Sequence, residues 1–408
     1  MTAPDAPLLI TSVDVFDGTG SPVLHDHSVV VEGDRISWVG PAGSAPELPG
    51  ARVVDGTGRT LLPGLFNNHV HLGSDVSESA RSGDTLAGSV VASTVYGVNN
   101  LRETLPTGVT SVRDCGSVEG FAIELRDLVE RGVVPGPRVL AAGRVITMTG
   151  GHGHFIGRQA DGPWGIAAAT RAELKEGADF IKIMSTGGVL TKGVSPLQTA
   201  LHVEELAAAV AEAHNAGKRI TSHAIGGQGV KNAILAGLDS IEHACFMDDE
   251  TIELALDRGT IIVPTLIAVR RIAENGDRLP AWMHEKVMLE AEASERSFRS
   301  AVAAGVTIAC GTDAGTPYNA HSDLPGELEL MVEFGMSPVQ ALVSATSTSA
   351  VNFGLTDELG TVTEGKLADL LLVEGDPTSD VSAIRDVVLV LKAGQWAHSA
   401  LEPVGATG

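Results

Sequence analysis

Pro63-Gly64-Leu65-Phe66-Asn67-Asn68-His69-Val70-His71 opens the part of the chain that sets the fold. An apolar run after Pro63-Gly64, ending in His69-Val70-His71, predicts a short buried strand over 65–71. From about Leu61 onward such runs alternate with helical patterns. Further strands are predicted over 110–113, 138–142, 180–184, 220–224, 240–244, 261–266 and 307–311, eight in all. Helices are predicted at 203–215, 249–258 and 282–303, and a last one at 338–352. The first carries Val203, Leu206, Val210 and Ala213 on one face. Gly132, Gly217, Gly237, Gly259 and Gly305 each follow a helical stretch, where a C-terminal glycine belongs. Eight strands in βα alternation give an α/β class and predict a parallel (β/α)₈ TIM barrel.

Both ends of the chain have a different texture. Strand-like runs over 8–16, 28–32, 36–39 and 52–54 are punctuated by Asp17-Gly18, Gly33-Asp34 and Asp55-Gly56. The tail repeats this at 361–362, 370–373 and 387–392. The simplest assembly is a small β-sandwich built from both ends, with boundaries at 1–62, 63–354 and 355–408. Residues 402–408 read as frayed.

Hydrophobic residues make up 43% of the 408 residues and charged residues 19%, a globular composition with material for a large core. Aromatics are 4%, so a binding pocket must rely on aliphatic walls and polar groups. With 28 Lys+Arg against 51 Asp+Glu the net charge is −23, and no basic run offers a phosphate track. Nucleic acid is therefore not an expected partner. No apolar run approaches the ~18 residues of a membrane span, and no membrane association is expected. Cys115, Cys245 and Cys310 are odd in number and lack metal-type spacing. They point to a reducing compartment, and the absence of a basic region near Met1 argues against a secretion signal. The cytoplasm is the expected location.

Side chains alternate faces along a strand, so His69 and His71 point the same way and Val70 points opposite. Two imidazoles there can grip one metal, or serve as structural histidines bonded to backbone. The pair alone leaves both readings open. Lys182 lies inside Phe180-Ile181-Lys182-Ile183-Met184, and a bare buried ammonium is costly without a partner. It either snorkels to solvent or has a special role. His223 and His243 close the strands at 220–224 and 240–244, and Asp313 follows 307–311. Singly, each reads as a core or capping group. Together they fall at the carboxyl ends of strands one, four, five, six and eight, the face where barrel active sites are built. Imidazoles, a lysine and an aspartate suit zinc, manganese, iron or cobalt better than calcium.

These motifs resemble the amidohydrolase superfamily: His-x-His after Pro63-Gly64, a strand lysine before Ser185-Thr186-Gly187-Gly188, Ser222-His223-Ala224, Ile241-Glu242-His243 and Gly311-Thr312-Asp313. The tail Leu359-Gly360-Thr361 with Glu364-Gly365-Lys366-Leu367-Ala368-Asp369-Leu370 is similar to the imidazolonepropionase-like branch, which includes Xaa-Pro dipeptidases and ochratoxin-type amidases. The resemblance spans nearly the whole chain. It implies that His69, His71 and Asp313 hold one divalent metal and His223 and His243 a second, with Zn²⁺ expected and Mn²⁺, Fe²⁺ or Co²⁺ as alternatives. It implies that Lys182, carboxylated by CO₂, bridges the two. Two metals about 3.5–4 Å apart would acidify a shared water. Asp313 would take up its proton and pass it to the leaving amine. Asn67-Asn68 departs from the branch, where an acidic residue often precedes His-x-His.

The resemblance further implies hydrolysis of an amide or peptide C–N bond, as a dipeptidase or N-acyl amino-acid hydrolase, and a homo-oligomer. The substrate would be a small molecule or dipeptide. Candidate substrate contacts are His152 and His154 in Thr149-Gly150-Gly151-His152-Gly153-His154, with His152 first, and Tyr318 and His321 after the last ligand. A plain flexible loop is the alternative for the first pair. Lys192 reads as solvated, and Glu242 as a group that orients a ligand or a buried ion-pair partner. Two rivals remain. One is cyclic-amide opening or deamination, the latter disfavoured because deaminase-like relatives lack a bridging lysine. The other is a non-catalytic scaffold, disfavoured by the complete ligand set.

Overall fold

A computed structural model describes residues 6–76 and 89–401. The expectation of a frayed 402–408 lies outside the described residues. The chain forms two compact units. One comprises Met1–Phe66, Thr104–Thr110 and Ser337–Gly408, the other Asn67–Glu103 and Ser111–Met336.

The first unit is organised by β1 (Leu8–Val15). It pairs antiparallel with β2 (Leu24–Glu32), Ile10 opposite Val29, and parallel with β4 (Arg52–Asp55), Ile10 opposite Val54. Its far end pairs parallel with β5 (Arg59–Pro63), Val15 opposite Leu61. The tail strand β15 (Leu370–Glu374) adds antiparallel to β5, Leu371 opposite Leu62, and carries β16 (Val387–Lys392) and β17 (Gln395–Ser399) beyond it. With β3 (Arg35–Pro41) at the opposite edge, both chain ends share one eight-stranded sheet. The sequence led us to expect a sandwich of two facing sheets; hydrogen bonding joins these strands in one. One face gathers Ile10, Val29, Val31, Leu61, Leu370, Leu372 and Leu389 into a single apolar cluster, the strongest reason for the two ends to meet. The predicted strand at 361–362 is absent. Strand β17 was not anticipated because an edge strand of half-buried, largely polar residues lacks an apolar rhythm.

A further sheet joins β6 (Leu65–Val70), β7 (Val109–Asp114) and β8 (Arg138–Ala141). A six-stranded sheet runs β10-β9-β11-β12-β13-β14. It contains β9 (Val145–Thr147), β10 (Gly157–Gln159), β11 (Phe180–Met184), β12 (Arg219–Ala224), β13 (Ser240–His243) and β14 (Ile261–Val263). Its ladders are parallel, as are those of β7 with β8. The eighth predicted strand, 307–311, is not a regular strand. It makes isolated parallel bridges, Ile308 with Ile262 and, just beyond, Ala314 with Val70. The physical reason is a side chain in the ladder: Asn67 Oδ1 accepts from Thr312 N at 3.1 Å, where a backbone carbonyl would otherwise sit. Gly311 allows this approach, since a Cβ there would lie 3.0 Å from the His69 nitrogen. Among the described residues the ladders therefore form two arcs and no closed ring of eight.

Two of the helices not named from the sequence bear on the site. Leu266–Glu274 begins three residues after β14, so its first residues read as more strand. Its start is held by Glu327, whose carboxylate accepts from Leu266 N (2.9 Å) and Ile267 N (2.7 Å). That cap comes from the other of these helices, Leu324–Glu333, and has no local signature. The helix predicted at 338–352 is two, Pro338–Ser344 and Ser347–Phe353. Thr346 leaves helical geometry between them, its hydroxyl donating to Leu342 O. No helix among the described residues is long and apolar enough to cross a membrane.

Candidate metal centre

Parallel register puts the chemically active side chains at one end of the strands. Met184 pairs with His223, and Ala224 with His243. His69 and Lys182 meet at 3.4 Å, Nε2 to Nζ. Asp313 Oδ1 lies 3.2 Å from His69 Nε2 and 3.3 Å from His71 Nε2. The His69 ring centroid is 5.3 Å from that of His71 and 5.2 Å from that of His243, which is 4.6 Å from His223. Six side chains predicted from five separate stretches of the sequence thus come together in one cluster. Asp313 reaches it from a left-handed backbone conformation (φ +57°), fixed by its own N–H donating to His69 O at 2.8 Å.

Each imidazole has one nitrogen engaged away from the cluster. His69 Nδ1 faces Glu242 Oε2 at 2.9 Å, His71 Nδ1 meets Gly116 O at 3.0 Å, and His243 Nδ1 meets Thr265 Oγ1 at 2.7 Å. His223 uses Nε2, against Gly187 O at 2.9 Å. An outward nitrogen that donates a proton leaves the inward one as a lone pair. Four lone pairs and a carboxylate aimed at one space are the donor set of a transition-metal site. His69, His71 and Asp313 each supply an atom within 4.8 Å of the others. Asp313 Oδ1, although buried between two rings, makes no hydrogen bond. Lys182 has no carboxylate within ion-pairing distance among the described residues and is 1% exposed. An orphaned carboxylate oxygen, several imidazoles and a buried amine on one space fit a divalent-cation site.

Burial, reinforced by the neighbouring positive charges of Lys182 or other rings, drives His69, His223 and His243 well below the usual imidazole range, so they are neutral donors. For His71 burial also disfavours the cation, but Asp313 outweighs it and the net shift is upward. Asp313 moves down despite burial, held by His69 and His71.

Behind the cluster lies a group the sequence showed only in part. Glu242 is fully buried; its Oε1 accepts from Arg113 Nη2 and Thr221 Oγ1, both at 2.6 Å, while its Oε2 faces His69. Arg113 also donates to Asn68 O at 2.8 Å. We did not single out Arg113 from the sequence. A lone arginine inside a predicted buried strand was the available signal.

The donors line the floor of a cavity of about 670 Å³, mouth included, whose walls include Ile156, Val189, Leu190, Val269, Ile272 and Val287. His152 lines it too. Its Nδ1 meets Thr191 Oγ1 at 2.9 Å and its ring lies 4.5 Å from His223. Burial keeps it neutral. His154 does not line the cavity, because its Nδ1 turns back onto Gly151 O at 3.0 Å. His321 is buried behind His71, its Nε2 against His71 O at 3.2 Å, and also lies outside the lining. Tyr318 packs on the apolar cluster of the walls rather than on the lining itself. Lys192 is exposed.

Gly188 gives a direct test of His152. A Cβ at Gly188 would stand 2.5 Å from His152 Nε2 and 2.7 Å from its Cδ2 and Cε1. Gly188→Ala is expected to displace the ring and lower kcat/KM by about 100-fold, the order of effect of a 1 Å misplacement. Metal content should be unchanged; unaltered kinetics would remove His152 from the site.

A profile of the Amidohydrolase family matches residues 60–397. The chain belongs to this family of hydrolases acting on C–N bonds. Among characterised relatives it is 29% identical to ochratoxinase of Aspergillus niger, over 95% of this chain and 88% of that protein. It is 25% identical to imidazolonepropionase of Streptomyces griseus, over 90% and 91%. Among solved structures it is similar to a Xaa-Pro dipeptidase with bound methionine in the active site (TM-score 0.89, 34% identity, 96% of this chain and 99% of that one).

Proposed function

We propose that the chain is a binuclear metal-dependent hydrolase of amide or peptide C–N bonds, acting as an Xaa-Pro-type dipeptidase or an N-acyl amino-acid amidohydrolase. The observation that supports it most is the convergence of four imidazole lone pairs, the orphaned Asp313 carboxylate and the buried Lys182 on one cavity floor. In this reading His69, His71 and Asp313 hold one cation, and His223 and His243 the other. Lys182 would join CO₂ through Nζ, releasing a proton, and as a carbamate would offer its oxygens to the cations. Bound divalent cations, Zn²⁺ first, supply an acidified water and polarisation of the scissile carbonyl. Asp313 accepts a proton at its carboxylate and returns it to the departing amine nitrogen. His152 steadies the carbonyl or a substrate carboxylate from the side. The aliphatic walls exclude water and receive the apolar flank of the substrate. The same reading carries a barrel over 63–354, a β unit from 1–62 and 355–408, a homo-oligomer and a cytoplasmic location. The similarity to imidazolonepropionase supports a second reading, opening of a cyclic amide.

Elemental analysis and substrate screening of one preparation test this. About two transition-metal equivalents per chain are expected, with turnover of unblocked dipeptides or N-acyl amino acids. Chelation should abolish turnover and lower the melting temperature, because a ligand bound only to the folded state stabilises it. Purification free of metal, or turnover confined to ring amides, would overturn the lead reading.

A further inference from the structure

Glu290 belongs to the helix Ala281–Ala304 and has no part in the cluster above. It is 2% exposed, yet it lines the same cavity as His69, Lys182 and Asp313. Its Oε1 is buried without a hydrogen-bond partner. The nearest cation on its own helix, Lys286, is turned elsewhere: its Nζ donates to Gly188 O at 3.2 Å and to Thr191 O. The surrounding wall is aliphatic, with Val189, Leu190, Val269 and Val287. A buried carboxyl oxygen left without a partner is costly, and in a ligand cavity it is a place where a ligand supplies the missing partner. Burial pushes the Glu290 carboxyl up to about 8, against the pull of Lys286 and with that of Asp313.

We propose that Glu290 is a specificity residue that binds a cationic nitrogen of the substrate, remote from the scissile bond. This rests on the amide-hydrolase reading and deepens it: the substrate class becomes an amide carrying a primary ammonium or another basic nitrogen beside an apolar segment. Two sources supply that chemistry, the α-ammonium of an unblocked dipeptide and a basic side chain.

The test compares wild type with Glu290→Gln, which keeps the shape and cannot ionise to meet a cation. Steady-state kinetics would use an aliphatic dipeptide, its N-acetyl form, and an N-acetyl dipeptide carrying lysine. Wild type should prefer a cationic substrate to the neutral one by tenfold or more in kcat/KM, the size of a charge-assisted hydrogen bond. Preference for the first locates the α-ammonium, and for the third the side chain. In Glu290→Gln the KM for the cationic substrate should rise about tenfold, with kcat within threefold and the neutral substrate unaffected. Equal losses for charged and neutral substrates would mean a structural role and overturn the proposal, as would a wild-type preference for the neutral one. Calorimetric binding of n-butylammonium against neutral n-pentanol needs no turnover. Selective binding of the amine, lost in Glu290→Gln, supports the proposal even if amide hydrolysis fails. Equal binding of both probes overturns it even if amide hydrolysis stands.

Discussion

Asp313→Asn is expected to lower kcat by about 10²- to 10⁴-fold, the range removed with a general acid–base group, while the chain stays folded. Asparagine matches aspartate in shape and tolerates the left-handed backbone that Asp313 adopts. The local frame does not depend on the carboxylate. Asp313 N donates to His69 O, and Asn319 Nδ2 donates to Asp313 O at 2.9 Å and Thr312 O at 2.7 Å. What the substitution removes is a charge. Burial favours the neutral acid, but the His69 and His71 rings outweigh it and hold the carboxyl below its usual range. At neutral pH it is therefore ionised and free to take a proton. The amide of asparagine cannot take or return one. Metal content of the same sample separates lost proton transfer from a lost cation. If kcat stays within threefold of wild type with both cations bound, Asp313 is a ligand only.

The cluster was legible in the sequence because its members are out of place where they stand. A lysine amid Phe180, Ile181, Ile183 and Met184, and histidines at strand ends, violate the composition of buried strands, and such violations concentrate at sites of function. The alternation rule placed His69 and His71 on one side without further information. What stayed hidden was set by partners distant in sequence. The cap that Glu327 gives to Leu266 and Ile267 joins residues 60 positions apart. Asn67, which looked like a missing acid, is the side chain that interrupts the ladder at Thr312. His154 and His321 had loop positions suited to substrate contact, but each ring is turned onto a backbone carbonyl, which position alone does not reveal. Glu290 was invisible because a glutamate on a long helix usually faces water, and only packing shows which face of the helix is covered.

Glu242→Ala should be the most destabilising single change at the site, by about 3–5 kcal/mol, because it strands the Arg113 guanidinium in the interior. Arg113 is 1% exposed, and its charge is answered by Glu242 Oε1; its other bond is to the neutral Asn68 carbonyl. The melting temperature is expected to fall by roughly 10 °C. Replacing both partners, Arg113→Met with Glu242→Leu, should recover most of that loss, since an apolar pair of similar volume removes the uncompensated charge. Activity should not recover with it. Glu242 Oε2, 2.9 Å from His69 Nδ1, places a negative charge that favours the ring proton on Nδ1 and leaves Nε2 free toward Asp313. Without that acceptor the ring can change tautomer, and metal affinity should remain about 10- to 100-fold below wild type. Denaturant unfolding and metal titration of the single and double variants measure the two effects separately. If the double variant regains metal affinity along with stability, then Glu242 serves only to neutralise Arg113, and the orientation of His69 has another source.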